Sequence, residues 1–173
     1  MTQPLRVGNG FDIHAFVDDA SWSATPGRPL VLGGVVFDAE RPLVGHSDAD
    51  VITHAVAEAL LGAAGLGDIG ALFPDTDPRW EGADSLELLA EVVSRLTGAG
   101  WAVVNVDCSV VAERPKLAPH RSEIETRLSR VVGAPVTVKG RRGEGLGALG
   151  RSEGIACWAT ALISELGTDE GNG

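Results

Sequence analysis

Three observations predict an α+β fold, with a small mixed β-sheet and helices packed on one face. Segments whose apolar residues alternate every second position are interleaved with segments of helical period. The 173 residues suit one domain with a single core, large enough to need neither disulfides nor a structural metal. No internal repeat or interior linker divides the chain, so a single domain over residues 1–167 and a frayed tail over 168–173 are expected.

Residues 5–16 read as a strand leading into a turn, and residues 17–29, with Asp, Ser, Gly and Pro, as a loop. Residues 30–37, broken by Gly33-Gly34, suggest a short hairpin. Ser47 followed by Asp50 approximates a capping box, and Val51, Ala55, Ala59 and Leu60 carry helical spacing as far as Ala64, which puts His54 on a helix. A second helix starts at Asp84 or Ser85, runs through Leu86, Leu89, Val92, Val93 and Leu96, and ends in the glycines at 98 and 100. Residues 101–112 are rich in valine and read as a strand. A more polar helix from Pro119 or His120 to Val132 carries Ile124 and Leu128, and residues 135–139 form another strand. Residues 155–166 fit either period. Their first part is read as a strand because a glycine-rich loop precedes it and Ile155, Cys157, Ala159 and Ala161 alternate.

Composition narrows the function. The formal net charge of −10 disfavours nucleic acid as a partner, since that binding depends on cations meeting phosphates. A small phosphorylated ligand remains compatible, because screening lets a few local cations outweigh an acidic whole. No apolar run approaches the roughly 20 residues of a membrane span, and the first residues lack a secretory apolar region, so a cytoplasmic protein without membrane partners is expected. Cys108 and Cys157 are isolated in apolar surroundings and read as reduced core thiols.

Chemistry concentrates in three places. Asp12 and His14 share a strand face, about 7 Å apart along the chain, which suits a divalent metal site. Asp plus two His matches a catalytic zinc with one open position, and the further ligand has to come from elsewhere: His46 and His54 flank a helix start dense with carboxylates. Asp48, Asp50, Asp68, Asp75 and Asp77 form an acidic complement. Each suits a turn or cap, and any one could serve a harder cation such as Mg2+ whose other ligands are phosphates. Arg114, Lys116, Arg141, Arg142 and Arg151 cluster near turns in the second half, either as solvated surface or as a phosphate site. Residues 145–150 match GxGxxG, but the chain ends too soon after Gly150 for the helix, strand and acidic ribose ligand of a dinucleotide fold. The acidic and cationic halves must meet, within or between subunits.

These motifs fall into a known order. Arg6-Val7-Gly8-Asn9-Gly10-Phe11-Asp12-Ile13-His14, residues 45–54, Ala59-Leu60-Leu61-Gly62-Ala63-Ala64, residues 66–70, residues 73–78, Pro115-Lys116 and Gly150-Arg151-Ser152-Glu153-Gly154-Ile155-Ala156 together resemble the 2-C-methyl-D-erythritol 2,4-cyclodiphosphate synthase family over nearly the whole chain. The resemblance implies a homotrimer with active sites between subunits, and one Zn2+ per subunit held by Asp12, His14 and His54. It places His46, as a catalytic residue, and Ser47 against the methylerythritol phosphate, together with Asp68, Ile69, Gly70, Phe73, Pro74, Asp75, Thr76 and Asp77. It also implies Mg2+ or Mn2+ on the substrate diphosphate, and Ala112, Lys116, Leu117, Ala118 and Glu144 bordering a cytidine diphosphate substrate. The implied reaction is intramolecular phosphoryl transfer that releases CMP, a problem of positioning and charge neutralisation.

Two positions depart from the family pattern. Gly140-Arg141-Arg142-Gly143-Glu144 stands where the family carries Ala-Thr-Thr-Thr-Glu, and Arg142 replaces the threonine that helps hold a phosphate. Arg141 or Arg142 is expected to supply the lost donors, which gives Arg142 a catalytic part. Ala148 replaces an aromatic residue lining the cavity on the trimer axis, with Arg151 retained. Two alternatives accompany the synthase reading: a metal-dependent phosphoesterase with a water nucleophile, and a non-catalytic nucleotide or isoprenoid-phosphate binding protein.

Overall fold

The computed structural model describes residues 4–18, 21–22, 28–38 and 40–167. Strands β1 (Leu5–Ala15), β4 (Trp101–Val111), β5 (Val136–Arg141) and β6 (Gly154–Glu165) form one mixed sheet in the order β1-β6-β4-β5. The central β6 runs antiparallel to both neighbours, and β4 pairs with β5 in parallel, linked by helix α4 (Arg121–Val132). The predicted hairpin is present as β2 (Leu30–Leu32) and β3 (Val35–Phe37), with Gly33 and Gly34 both at positive φ in its turn. Helices α1 (Val51–Ala64), α3 (Ser85–Gly98) and α4 pack in that order, α3 against both others, and each contacts the sheet, forming the expected layer on one face. Short α2 (Ile69–Leu72), a 3-10 turn (Pro78–Trp80) and α5 (Gly147–Gly150) lie between them.

Burial along the strands explains that layering. Ile155, Cys157, Ala159, Ala161 and Ile163 of β6 are buried on the helix side, whereas Trp158 faces away. In β1 the helix side carries glycine at 8 and 10, so α1 rides directly on the strand. A Cβ at Gly8 would lie 1.9 Å from the Ala59 carbonyl oxygen, and one at Gly10 would lie 2.0 Å from that of Ala55. Helix and strand approach at backbone contact, and the next residues on that strand face are Asp12 and His14.

Three local expectations need correction. The N-cap of α1 is Asp50 rather than Ser47, because its carboxylate accepts from the backbone N–H of Ile52 and Thr53. The segment read as strand only in its first part is strand from Gly154 to Glu165, since backbone groups on both sides pair it along its length. Strand β5 runs two residues past Lys139 to Arg141, following β4 to Val111. Part of the loop expected over residues 17–29, and the tail expected over 168–173, lie outside the described residues. Cys108 and Cys157 are buried free thiols, as expected, and the Cys157 thiol is pushed up by Cys108 beside it and by burial.

Candidate metal centre and phosphate cleft

Close packing of α1 on β1 sets His54 against Asp12 and His14. Asp12 Oδ2 lies 3.1 Å from His14 Nε2 and 3.0 Å from His54 Nδ1. Among the described residues these three form the one group of His, Cys, Asp and Glu side chains placed to hold a metal ion, their ligand atoms lying within 4.8 Å of one another.

Hydrogen bonding fixes which ring nitrogens are available. His14 Nδ1 donates to the Val44 carbonyl at 2.6 Å, and a carbonyl can only accept. Neutral His14 then turns a bare Nε2 lone pair toward the Asp12 carboxylate, and that Nε2 is buried without a hydrogen bond although it lies within ion-pair distance. On His54 the other nitrogen, Nε2, meets the hydroxyls of Ser47 at 3.1 Å and Ser85 at 2.9 Å, which leaves Nδ1 toward Asp12. A carboxylate and two ring nitrogens thus converge on one point, a donor set that fits a divalent ion. Burial works to raise the Asp12 carboxyl, but hydrogen bonds and charge from His14 and His54 outweigh it and leave it at about 2. Burial works to lower His14, yet Asp12 overcomes it and holds the imidazole above its ordinary value.

Hydrogen bonds tie the remaining residues of the first half to His46 and to α1. His46 Nε2 lies 3.4 Å from the Asp77 carbonyl, and the His46 carbonyl accepts from the Gly82 N–H at 2.9 Å, so the turn over residues 73–77 backs onto His46. Within that turn Phe73 is buried edge-on to Trp80, and Asp77 N–H bonds the Pro74 carbonyl at 3.0 Å, with Asp75 and Thr76 exposed between. Asp68 caps the α2 turn that contains Ile69 and Gly70. The Ile69 N–H donates to Glu58, one helical turn beyond His54 on α1. His46, Ser47 and Asp48 also line a cleft of about 780 Å3 with Arg28, Val31 and Arg127.

Structure narrows the acidic complement. Asp50 is fully buried and spent on capping, and Asp48 is engaged by Ser85 and the Asp50 N–H. Asp77 is paired with Arg79, which holds its carboxyl below the usual range, and Asp68 accepts from the Ala71 N–H. Asp75 is left as the exposed carboxylate nearest this turn's tip.

A second cleft, of about 600 Å3, opens at the C-terminal ends of β4 and β5. Ala112, Lys116, Leu117, Ala118, Arg141 and Arg142 line it, with Glu40, Glu113, Arg114 and Arg121. Five cations against two carboxylates make it locally positive in an acidic chain, a setting suited to phosphates. Arg142 is not a free donor: its Nε lies 3.0 Å and a terminal nitrogen 2.9 Å from Glu113 Oε2. Arg142 in turn holds the Glu113 carboxyl below the ordinary carboxylate range. Glu144, at φ 51°, follows in the adjoining turn. Ala148 is exposed on α5, and Arg151 pairs with Glu153 at 2.6 Å, so neither lines the cleft.

The two sites share one end of the sheet. Register places Ile13, Ala156, Val111 and Arg141 in a single row across four strands. Metal cluster and cationic cleft therefore stand three strand spacings apart, about 14 Å. Sequence reading missed the Val44 carbonyl, Ser85 and Glu113. A backbone acceptor leaves no mark in sequence, Ser85 was visible only as a helix start, and Glu113 could have been found as the acidic neighbour of the Arg114 to Lys116 stretch.

Fold and site together define a class: a mixed-sheet protein with an Asp-His-His centre and a separate cationic cleft at the same end of its sheet. The chain belongs to the YgbB family, whose sequence profile matches residues 5–164. Among curated relatives, it is 51% identical over 167 residues to the 2-C-methyl-D-erythritol 2,4-cyclodiphosphate synthase of Bordetella avium, covering 95% of this chain and 98% of that one. Among solved structures, the bifunctional IspDF from Campylobacter jejuni superposes with a TM-score of 0.86 at 35% identity; the alignment covers 95% of this chain but spans 43% of that longer protein. IspF from Plasmodium falciparum, solved as a CDP complex, superposes with a TM-score of 0.79 at 30% identity over 96% of this chain and 100% of that one.

Proposed function

We propose that this chain is a metal-dependent, cyclising phosphorus–oxygen lyase of non-mevalonate isoprenoid biosynthesis, acting in the cytoplasm as a single synthase domain over residues 1–167. It converts 4-diphosphocytidyl-2-C-methyl-D-erythritol 2-phosphate to 2-C-methyl-D-erythritol 2,4-cyclodiphosphate and CMP. An oxygen of the 2-phosphate bonds to the β-phosphorus, and the bond from that phosphorus to the oxygen bridging to CMP breaks. The observation that carries this reading is the Asp12–His14–His54 cluster at the same sheet end as a cationic cleft, in a chain 51% identical to a curated synthase.

Closing an eight-membered ring between two anionic groups is mainly a matter of folding them together and offsetting charge. Bound at Asp12, His14 and His54, Zn2+, together with Mg2+ or Mn2+ on the diphosphate, would polarise phosphate oxygens and neutralise charge on the departing CMP. His46 and Ser47, with Asp68, Ile69, Gly70 and the turn from Phe73 to Asp77, hold the methylerythritol phosphate. Ala112, Lys116, Leu117, Ala118 and Glu144 border the cytidine and its phosphates, and Arg141 and Arg142 replace the family's threonine donors. Purified protein incubated with substrate and Mg2+ separates the candidates. Cyclic product supports the synthase, hydrolysed product a phosphoesterase, and bound but unchanged substrate a binding protein.

Arg142 is already neutralised by Glu113, so its contribution to phosphate binding is modest. Arg142→Thr is expected to weaken CDP binding about tenfold, equivalent to ~1.4 kcal/mol, and to slow CMP release. A faster rate with unchanged binding, measured by calorimetry and CMP assay, contradicts that role.

We further propose assembly as a homotrimer in which neighbouring copies combine their two sites. Support lies on the sheet face that the helices leave uncovered, where Leu5, Val7, Phe11 and Ile13 of β1 and Trp158 of β6 are 41–68% exposed. Phe11 and Trp158 pack there with tilted rings, centroids 4.8 Å apart, and an apolar face of this kind marks a contact surface. Sedimentation equilibrium should return the mass of three 17.9 kDa chains, and a monomer at micromolar concentration would rule the trimer out. Among the described residues no helix is long and apolar enough to cross a membrane.

A further inference from the structure

The strap over residues 44–47 touches both histidines of the proposed metal centre. Its Val44 carbonyl fixes the tautomer of His14, and its Ser47 hydroxyl meets His54 Nε2. Gly45 passes so close that a Cβ there would lie 3.3 Å from His14 Cε1 and 2.7 Å from Ala49 Cβ. Between these points stands His46, backed by the Asp77 carbonyl. A strap with these duties has to be held to a fraction of an ångström, and its backbone bonds beyond the Phe16–Leu43 bridge, from the Val44 N–H to the Ala15 carbonyl and from the Gly82 N–H to the His46 carbonyl, leave the Gly45 and Ser47 carbonyls to other donors.

Those two carbonyls are held by a residue from before the hairpin. Arg28 Nη1 donates to the Gly45 carbonyl at 2.9 Å, and Arg28 Nη2 donates to the Ser47 carbonyl. One planar guanidinium thus grips the carbonyls on either side of His46, a two-pronged geometry that an ammonium cannot reproduce. Because peptide planes turn as units, fixing those two carbonyls also fixes the directions of the His46 and Ser47 side chains.

We infer that Arg28 is a positioning residue for the metal centre and for His46, acting through the strap at 44–47 rather than by touching substrate. The inference rests on the metal reading above. Arg28 is exposed and outside the core, so its replacement leaves the packing of α1 on β1 in place.

Three measurements on Arg28→Ala and Arg28→Lys test it. In metal-free protein, amide hydrogen exchange over residues 44–50 should accelerate roughly tenfold in Arg28→Ala, with the rest of the sheet unchanged. Zinc affinity, by competition with a chromogenic chelator, should fall about tenfold in Arg28→Ala and less in Arg28→Lys. Turnover by Arg28→Ala should drop mainly in kcat and recover in part on adding methylguanidinium, a rescue that general destabilisation does not give. Unchanged exchange over 44–50, or wild-type zinc affinity and kcat in Arg28→Ala, overturns the inference. Wild-type protein that takes up no zinc defeats the metal reading instead, and the exchange measurement still decides whether Arg28 holds the strap.

Discussion

His54→Ala is expected to lose bound zinc and to release CMP at least about a thousandfold more slowly, while melting close to the wild-type temperature. The magnitude follows from Lewis-acid stabilisation worth several kcal/mol at ~1.4 kcal/mol per tenfold in rate. Removing His54 leaves Asp12 and His14, a pair on one strand edge that cannot enclose an ion. The fold tolerates the change because α1 is anchored by Ala55 and Ala59 against the glycines of β1, not by the His54 ring. Metal analysis and a CMP assay on the same preparation check it, and full zinc stoichiometry in His54→Ala would show the ligand assignment wrong. A pH dependence accompanies it. Asp12 holds His14 above its ordinary imidazole value in metal-free protein, so below that raised value zinc has to displace a proton there. Zinc affinity should therefore weaken as pH falls through that raised value.

Asp50→Ala is expected to cost about 3 kcal/mol or more, because it strands several buried donors at once. Oδ1 accepts from the backbone N–H of Gly33 at 2.8 Å and of Ile52 and Thr53 at 3.1 Å each. Oδ2 accepts from the Gly34 N–H and the Thr53 hydroxyl, both at 2.7 Å. One fully buried carboxylate thus caps α1 and pins the hairpin turn to it. Burial pushes this carboxyl above its ordinary value and nearby Asp48 adds to the rise, while the donors from Gly33, Thr53 and Gly34 oppose both. For a domain of this size the loss corresponds to a fall of about 6–12 °C in Tm. Because His54 lies one turn into α1, zinc affinity should fall as well. Calorimetry that places Asp50→Ala within a degree of wild type would show that the turn and the cap do not depend on this residue.

Asp50 also marks how far the sequence could be read. Alternation gave the first part of β6, and period 3.6 gave α1, α3 and α4, because each pattern records which face of an element is buried. Pairing is another matter. The second half of β6 fits helix or strand equally, and only its two neighbours decide. Likewise Asp50 read as one carboxylate among five, since the Gly33 and Gly34 N–H groups that claim it are backbone atoms brought from 16–17 residues away. At the site, Asp12 and His14 were legible as a face, but the choice of His54 over His46 needed the family resemblance. The physical reason was in view all along: glycine at 8 and 10, opposite alanine at 55 and 59, lets α1 sit on β1 and carries His54 to Asp12. Arg142 was legible as a departure from the family, though its pairing with Glu113 was not, because residues 29 apart in sequence meet only across the ends of β4 and β5.

The central claim is that a phosphate of the substrate itself, not water, attacks the β-phosphorus. Phosphorus NMR of the reaction run in 18O-enriched water tests this directly, since 18O on phosphorus shifts its resonance. The account predicts one cyclic diphosphate for each CMP released, with no 18O in either product. A linear methylerythritol 2,4-bisphosphate carrying one 18O per turnover would contradict it and identify a hydrolase.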